Sequence, residues 1–171
     1  LHQVEQRWRS AAKTHGITLT CPELPLVYAD LNAIREVMDH LMRNALRHAP
    51  AGTAIAIDAR PDAEKVQVRV QDAGPGMTPE QLAKLFRPFS HVHTPEAPGS
   101  DGSGLGLAIC CQVIERHRGS IRAESLPGQG MTIIFELPVA TDAFLFEEAY
   151  REAQEDAQYE HGLCALLAVR P

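Results

Sequence analysis

Hydrophobic residues follow two different periods along the chain, and these periods predict its helices and strands. A helix is expected from about residue 32 to residue 48, where apolar residues recur at steps of three and four. We expect its core-facing positions to be Leu31, Ile34, Met38, Leu41 and Ala45. A short helix is expected over residues 79–86. Another has the same apolar spacing from Leu107 to Ile114, and Gly119 is expected to cap its end.

Alternating apolar and polar residues predict five strands. These strands are expected over residues 17–21, 53–59, 66–71, 120–125 and 131–137. A turn near Pro61 and Asp62 would make the second and third strands a hairpin. The order of helices and hairpins predicts an α+β fold. We expect a two-layer α/β sandwich whose mixed, mostly antiparallel sheet is covered on one face by helices.

The pattern divides the chain into three parts. Residues 1–14 have apolar residues at helical spacing and are expected to be a connector from an upstream domain. Residues 15–140 hold the predicted sandwich. Residues 141–171 contain a helix-like segment and an apolar run, which form either an extension or the start of a further domain. Because the chain begins at Leu1 rather than Met, we expect it to be part of a larger protein.

Composition narrows the classes of function. The 171-residue chain is 44% apolar, has a formal net charge of −6 and contains three lysines, which argues against a nucleic-acid-binding surface. Its longest apolar run falls far short of the ~20 residues of a transmembrane helix, and its start lacks a signal-peptide pattern. We therefore expect this part of the protein to be cytoplasmic, without membrane contact. The four cysteines include no C-x-x-C pair, and we interpret them as reduced core residues.

One side of the first predicted helix is polar. Four residues there stand at i, i+4, i+7 and i+8 and can therefore face one ligand. They are His40, Asn44, Arg47 and His48. An Asn carbonyl oxygen is a suitable ligand for Mg²⁺ that also carries phosphate oxygens, and an arginine can pair with phosphate. The alternative interpretation is a solvated helix face.

A glycine-rich turn, Asp72-Ala-Gly-Pro-Gly-Met77, directly follows the third predicted strand. Gly74 and Gly76 remove side chains where a flat ring would lie against the backbone. A carboxylate at the end of the strand can accept a hydrogen bond from an exocyclic amine, which would give Asp72 an adenine-reading role. A tight turn without a ligand would have the same composition, so this alternative stays open.

A second glycine-rich segment opens the next predicted helix. Backbone amides at the positive end of a helix form a cradle for anions. The amides expected to do so belong to Gly102, Ser103, Gly104, Leu105 and Gly106. The segment lacks the third glycine of the dinucleotide-binding fingerprint and the Gly-Lys-Ser/Thr ending of a P-loop. A flexible linker fits poorly, because an amphipathic helix begins at once.

A fourth segment, Leu85-Phe-Arg-Pro-Phe89, lies between the two glycine-rich segments. Its two phenylalanines either pin one end of the following proline- and glycine-rich loop to the body of the domain, or are simply core residues. Both interpretations place aromatic rings against the sheet or its helices.

Taken in order, the four segments resemble the Asn-box, first Gly-box, Phe-box and second Gly-box of the histidine kinase catalytic domain. That domain belongs to a nucleotide-binding superfamily shared with Hsp90, type II topoisomerases and MutL. The resemblance covers about residues 15–138, which makes residues 15–140 the expected ATP-binding catalytic domain. It implies the Bergerat-type ATP-binding fold, with ATP and Mg²⁺ as cofactors.

The resemblance also implies roles for individual residues. Asn44 would hold Mg²⁺, Asp72 would read the adenine amine, and the loop from about Met77 to Ser103 would be an ATP lid. His48 would lie beside the adenine, and Thr132 would lie near the base. The glycines expected to line the nucleotide are Gly74, Gly76, Gly102, Gly104 and Gly106.

One departure concerns the type of reaction. The hydrolytic relatives have a glutamate four residues before the asparagine, where it activates water, whereas His40 stands at that position here. Asp39 is its neighbour but points from another face of the helix. Transfer to a partner imidazole needs no such base, since phosphoryl transfer relies chiefly on positioning and charge neutralisation. We expect His40 to contact phosphate or to position the acceptor, with a structural histidine as the alternative.

None of the eight histidines is followed by an acidic residue, as the phosphate-accepting histidine commonly is. The resemblance therefore implies an acceptor on a separate dimerisation domain of the same parent protein. A homodimeric parent and a response regulator receiver domain as the next phosphate acceptor are implied with it. Two other functions stay open: a non-enzymatic, nucleotide-sensing module such as a degenerate kinase or an anti-sigma-like regulator, and an ATPase of the Hsp90 and topoisomerase type.

Overall fold

The computed structural model describes residues 7–9, 12, 14–90 and 104–141. Residues 7–9 are helical. The other elements in chain order are β1 Gly16–Thr20, α1 Leu31–His48, β2 Ala54–Asp62, β3 Lys65–Asp72, α2 Pro79–Leu82, α3 Gly106–Arg116, β4 Ser120–Ser125 and β5 Met131–Pro138. Among the helices of these described residues, none has the length and apolar character needed to cross a bilayer.

The five strands form one sheet in the order β1-β2-β3-β5-β4. β1 runs parallel to β2, because α1 lies between them in the chain and returns it to the same end of the sheet. The other neighbours pair antiparallel. The predicted α+β sandwich with a mixed, mostly antiparallel sheet is therefore confirmed.

One face of the sheet packs against the helices. In β3 this face is formed by Val66, Val68 and Val70, which pair across the ladder with Leu137, Phe135 and Ile133 of β5. α1 buries its apolar side on these residues. Its buried residues are Val37, Met38, Leu41, Met42 and Ala45. Burying each of the four larger side chains contributes about 1.5–3 kcal/mol, so this interface holds α1 in place.

The predicted core stripe of α1 is correct from its second turn onwards but wrong at its start. Leu31, which is 63% exposed, lies in the first turn beside the N-cap residue Asp30. Val37 and Met42 were missing from the predicted stripe and are both buried. A helix on a sheet buries a wider stripe than one residue per turn, which explains both positions.

Two further boundaries differ from the sequence prediction. β2 continues through Pro61 to Asp62, so that the turn falls at Ala63, whose φ is 50°. Pro61 has no N–H to donate to a neighbouring strand. It is tolerated because β1 pairs with β2 only as far as Asp58, so no hydrogen bond to β1 is needed at residue 61. The short helix α2 is confined to Pro79–Leu82, where Thr78 and Gln81 form a reciprocal capping box.

α3 ends at Arg116, one residue earlier than it would if Gly119 were its C-terminal cap. Arg118 has the left-handed φ of 53°, its N–H bonds to the Glu115 carbonyl at 2.9 Å, and the Gly119 N–H bonds to the Ile114 carbonyl at 2.9 Å. This is a Schellman ending with an arginine at the left-handed position. Gly119 is needed for a different reason: a Cβ there would overlap the carbonyl oxygen of Glu136.

Cys110 is a core residue, as the sequence predicts. It is fully buried, and burial raises the pKa of its thiol to about 12. Cys21 and Cys111 are partly exposed, and all three described cysteines are free thiols.

The second face of the sheet carries a polar cluster around Glu136. Lys65, Gln67 and Arg122 donate hydrogen bonds to its carboxylate at 3.2, 3.0 and 2.8 Å. The Glu136 side chain is 14% exposed, while Lys65 and Arg122 are about half exposed. The hydrogen bonds from these donors lower the pKa of Glu136 to about 2, and Arg122 makes the largest contribution.

Replacing Glu136 by glutamine is expected to lower the free energy of unfolding at pH 7 by about 1 kcal/mol, a modest value because its cationic partners are solvated. The folded pKa of about 2 lies below the usual 4.5, so this stabilisation is complete above pH 4.5. It is lost as the pH falls toward 2. Urea unfolding from pH 7 to pH 2.5 should show the stabilities of wild type and Glu136→Gln converging.

Glu124→Gln is the control, since Glu124 is 58% exposed and pairs only loosely with Arg122. Equal stability curves for the two variants would contradict the assignment.

Candidate functional site

Three half-buried polar residues of α1 stand one turn apart, at His40, Asn44 and His48. The ring of His40 lies against the start of α3, since a Cβ on Gly106 would be 3.2 Å from His40 Nδ1. The carbonyl of His48 lies against the turn after β3, where a Cβ on Gly74 would be 3.0 Å away. The His40 ring therefore contacts the second glycine-rich segment, and the backbone at the end of α1 contacts the first.

Asp72 ends β3 as a buried carboxylate that is 6% exposed. Its Oδ1 accepts a hydrogen bond from the Gly74 N–H at 2.7 Å, and a second backbone hydrogen bond comes from Met131 on β5. Burial raises the pKa of Asp72, while these hydrogen bonds and the nearby His48 lower it. A desolvated carboxylate beside a glycine turn is a strong acceptor and is typical of a functional site.

The two histidines of this site are neutral near pH 7. Burial lowers the pKa of His40 and of His48, and the adjacent cations Arg43 and Arg47 lower it further. A neutral imidazole ring can stack on the flat ring of a nucleotide base without burying a charge. Arg47 is exposed in the last turn of α1.

The turn after Asp72 is fastened to the turn between β4 and β5. Gly76 has a φ of 69°, and a Cβ there would overlap the Leu126 carbonyl oxygen. The Met77 N–H donates to Ser125 Oγ at 2.9 Å, and this hydroxyl donates to the Gly130 carbonyl at 2.6 Å. Sequence reasoning missed Ser125 and Gly130, because the contact joins segments about 50 residues apart and no local pattern marks it.

The start of α3 has the features of an anion-binding helix end. The N-cap residue Leu105 makes no side-chain hydrogen bond to the first amides of the helix. Gly104 has a φ of 66°, and a Cβ on it would be 3.2 Å from the Phe89 Cα, so the two chain ends that flank residues 91–103 are in contact. Gly102 and Ser103 lie outside the described residues, as does the rest of the predicted lid from residue 91 to residue 101.

Of the two phenylalanines expected to pin the Phe-box or to lie in the core, only Phe86 packs against the core. Leu85 is buried and Phe86 packs partly against the core, so these two side chains fix the segment. Phe89 is 69% exposed with a φ of 58°, so its ring is not the predicted pin.

Thr132 is not brought to this site. Asp72 pairs with Met131 across the ladder, and Gln71 pairs with Thr132. Since side chains alternate between the faces of a sheet, Met131 shares the face of Asp72 and Thr132 points to the other face. There it lines a separate cleft together with Leu82, Glu124, Ser125, Leu126, Gln129 and Gly130. Met131, which is buried in the core cluster, occupies the place predicted for Thr132.

The site fits a metal ion that arrives with a nucleotide. No group of three His, Cys, Asp or Glu side chains within residues 14–90 and 104–141 could hold a metal ion by itself. Mg²⁺ bound to ATP needs few protein ligands, because phosphate oxygens and waters complete its coordination. The side-chain oxygen of the half-buried Asn44, between His40 and His48, is the kind of donor that such an ion takes.

A profile of the family described as "Histidine kinase-, DNA gyrase B-, and HSP90-like ATPase" matches residues 29–141. The chain belongs to this family.

Among curated proteins, similar ones are sensor kinases. The adaptive-response sensory kinase SasA of Synechococcus elongatus is 35% identical over 140 residues, which cover 81% of this chain and 35% of SasA. The signal transduction histidine-protein kinase BaeS of Escherichia coli is 33% identical over 136 residues, which cover 80% of this chain and 29% of BaeS. The chain thus spans about a third of the length of these relatives.

Solved structures agree with this assignment. The catalytic domain of the histidine kinase ThkA has a TM-score of 0.62 and 30% identity, covering 80% of this chain and 86% of that one. Full-length ShkA in complex with AMPPNP has a TM-score of 0.68 and 28% identity, covering 82% of this chain and 29% of ShkA. The fold and the family together define an ATP-binding catalytic domain of the sensor histidine kinase type.

Proposed function

We propose that this domain transfers the γ-phosphoryl group of Mg·ATP to a histidine on a separate dimerisation domain of the same parent protein. One observation carries the proposal. The polar side of α1 presents the imidazole of His40 where a hydrolytic enzyme needs a carboxylate. The adjacent acid, Asp39, is hydrogen-bonded to Arg7 and Trp8 instead. Without the carboxylate that activates water in the hydrolytic relatives, this position is suited to a positioned acceptor.

Each part of the site has a task in this reaction. Asp72 accepts a hydrogen bond from the adenine amine, and the neutral ring of His48 lies beside the base. The backbone amides at the start of α3, including those of Gly104 and Gly106, bind phosphate oxygens. Asn44 holds Mg²⁺, which neutralises phosphate charge when it is bound with ATP.

In the transfer step, a nitrogen of the acceptor imidazole bonds to the γ-phosphorus while the bond to the bridging oxygen breaks. ADP leaves and the imidazole loses its proton. His40, which lies against the start of α3, is placed to contact the moving phosphoryl group or to orient the acceptor. In the parent, which we take to be a homodimer with this domain in the cytoplasm, the phosphohistidine then phosphorylates a response regulator receiver domain.

The test combines the 171-residue chain, γ-labelled ATP and Mg²⁺ with the histidine-bearing domain of the parent supplied separately. Label is expected on that domain in an acid-labile, alkali-stable bond, as a phosphohistidine gives. A histidine-bearing domain with its acceptor replaced by alanine is the matched control. The chain alone is expected to release phosphate only slowly.

Two results would refute the proposal. Rapid, repeated hydrolysis by the chain alone would define an ATPase. ATP binding without label on any histidine would define a nucleotide-sensing module.

A further inference from the structure

The short helical stretch at residues 7–9 is fastened to the middle of α1 by one acid. The Trp8 Nε1–H donates to Asp39 Oδ1 at 2.9 Å, and Arg7 Nη1 donates to Asp39 Oδ2 at 2.7 Å. Both carboxylate oxygens of Asp39 are therefore engaged by the same stretch, which lies about 30 residues earlier in the chain. This contact between Asp39 and the Arg7–Trp8 pair is called the Trp8 contact below.

The Trp8 contact is partly shielded from water. The Asp39 side chain is 15% exposed, and the Trp8 ring packs against the core cluster. The Arg7 guanidinium also lies 6.0 Å from the centre of the Trp8 ring. Hydrogen bonds to a charged, half-buried acceptor are stronger than those between neutral exposed groups. The contact therefore fixes the position of residues 7–9 on α1.

Asp39 directly precedes His40 in the same turn of α1, so the two side chains leave the helix in different directions. The His40 ring meets Gly106 at the start of α3, where the phosphates of a nucleotide are proposed to bind. Arg43 donates to the Asp39 carbonyl at 3.1 Å, which ties this turn to the next. One rigid turn of α1 thus contacts the chain arriving from upstream on one side and the nucleotide site on the other.

We propose that Asp39 is a positioning residue that couples the upstream segment to nucleotide binding. Occupation of the His40 and Asn44 side of α1 strengthens the Trp8 contact, and the intact contact strengthens nucleotide binding, because coupling between two sites is reciprocal. The partner that this surface fits is a helical segment with an arginine directly before a tryptophan, in this chain residues 7 and 8. The proposal rests on the nucleotide site described under Proposed function.

Trp8 is the single tryptophan of the chain, so its emission reports this contact alone. The experiment follows tryptophan emission and acrylamide quenching in the 171-residue chain while Mg·ADP is added, with affinity measured in parallel by calorimetry. Wild type is expected to show less quenching when nucleotide is bound. Asp39→Ala should have red-shifted, readily quenched emission that no longer responds, and its affinity for ADP should fall by about 5-fold, the lower end of coupling between sites.

The matched control is Glu36→Ala, which removes the same charge from the same helix near His40 but takes no part in the Trp8 contact. It should behave as wild type. Asp39→Asn keeps an acceptor for Trp8 and is expected to restore part of the response, which also guards against misfolding of the alanine variant.

The possible failures can be told apart. If wild type binds ADP with no change in Trp8 quenching and Asp39→Ala binds equally well, the coupling is refuted and the nucleotide site stands. If Glu36→Ala weakens ADP binding as much as Asp39→Ala, charge near His40 is the cause and the coupling is again refuted. If wild type does not bind ADP, both proposals fail.

Discussion

Asp72→Asn is expected to bind Mg·ADP about 100-fold more weakly than wild type. The asparagine amide replaces a charged acceptor with a group that can present a donor to the adenine amine, and losing a hydrogen bond to a buried charge costs about 1.5–3 kcal/mol. The fold should survive, because an asparagine oxygen can still accept the Gly74 N–H at this turn. Calorimetry on both proteins measures the ratio of affinities.

The stability of the same variant separates a functional role from a structural one. Burial raises the pKa of Asp72 above its usual value, so ionisation at pH 7 is unfavourable to folding. Asp72→Asn is therefore expected to unfold at the same or a higher temperature than wild type. Asp58→Asn on the neighbouring strand is the control and should bind ADP normally. Equal affinity of wild type and Asp72→Asn would contradict the adenine assignment.

Gly76→Ala is expected to cause a large loss of stability. The φ of 69° is strained for alanine by about 1–2 kcal/mol, and the added Cβ would overlap the Leu126 carbonyl oxygen. The turn would have to move away from the β4–β5 connection, which brings the expected loss to about 3 kcal/mol or more. Denaturant unfolding measures this loss.

Gly128→Ala is the matched control for Gly76→Ala. Gly128 has a φ of 78°, but no atom lies within 4 Å of a Cβ added there. Its expected loss is therefore the backbone strain alone, about 1–2 kcal/mol. The difference between the two variants isolates the close approach of the two turns. Equal losses would mean that the turn after Asp72 is not held against Leu126.

Strong periodicity made most of the fold predictable from the sequence. The strands 66–71 and 131–137 were placed within one residue at each end. Strict alternation defines the first, and Gly130 and Pro138 bound the second. The face of a residue was harder to predict than its strand. In β5, Ile134 is as deeply buried as Ile133 and Phe135, which hides the alternation. Thr132 was expected near the base from the family resemblance, whereas the ladder puts Met131, not Thr132, on the face of Asp72.

The chemistry of the site was predictable where it is local, and not where it joins distant segments. Asp72, Gly74 and Gly76 are one turn, so their spacing already indicates their geometry. Ser125 and the Trp8 contact depend on tertiary packing, for which sequence spacing gives no signal. Phe89 was expected to pin the following loop or to be a core residue, yet it lies beside Gly104 at the surface.

The site itself is tested most directly by the amide spectrum of the ¹⁵N-labelled chain during titration with Mg·ADP. We expect the largest shifts at the turn after β3 and at the start of α3, with Gly74, Gly76, Gly104 and Gly106 among them. If the largest shifts instead occur at Leu82, Glu124 and Thr132, the nucleotide binds in the cleft that these residues line, which would contradict the proposed site.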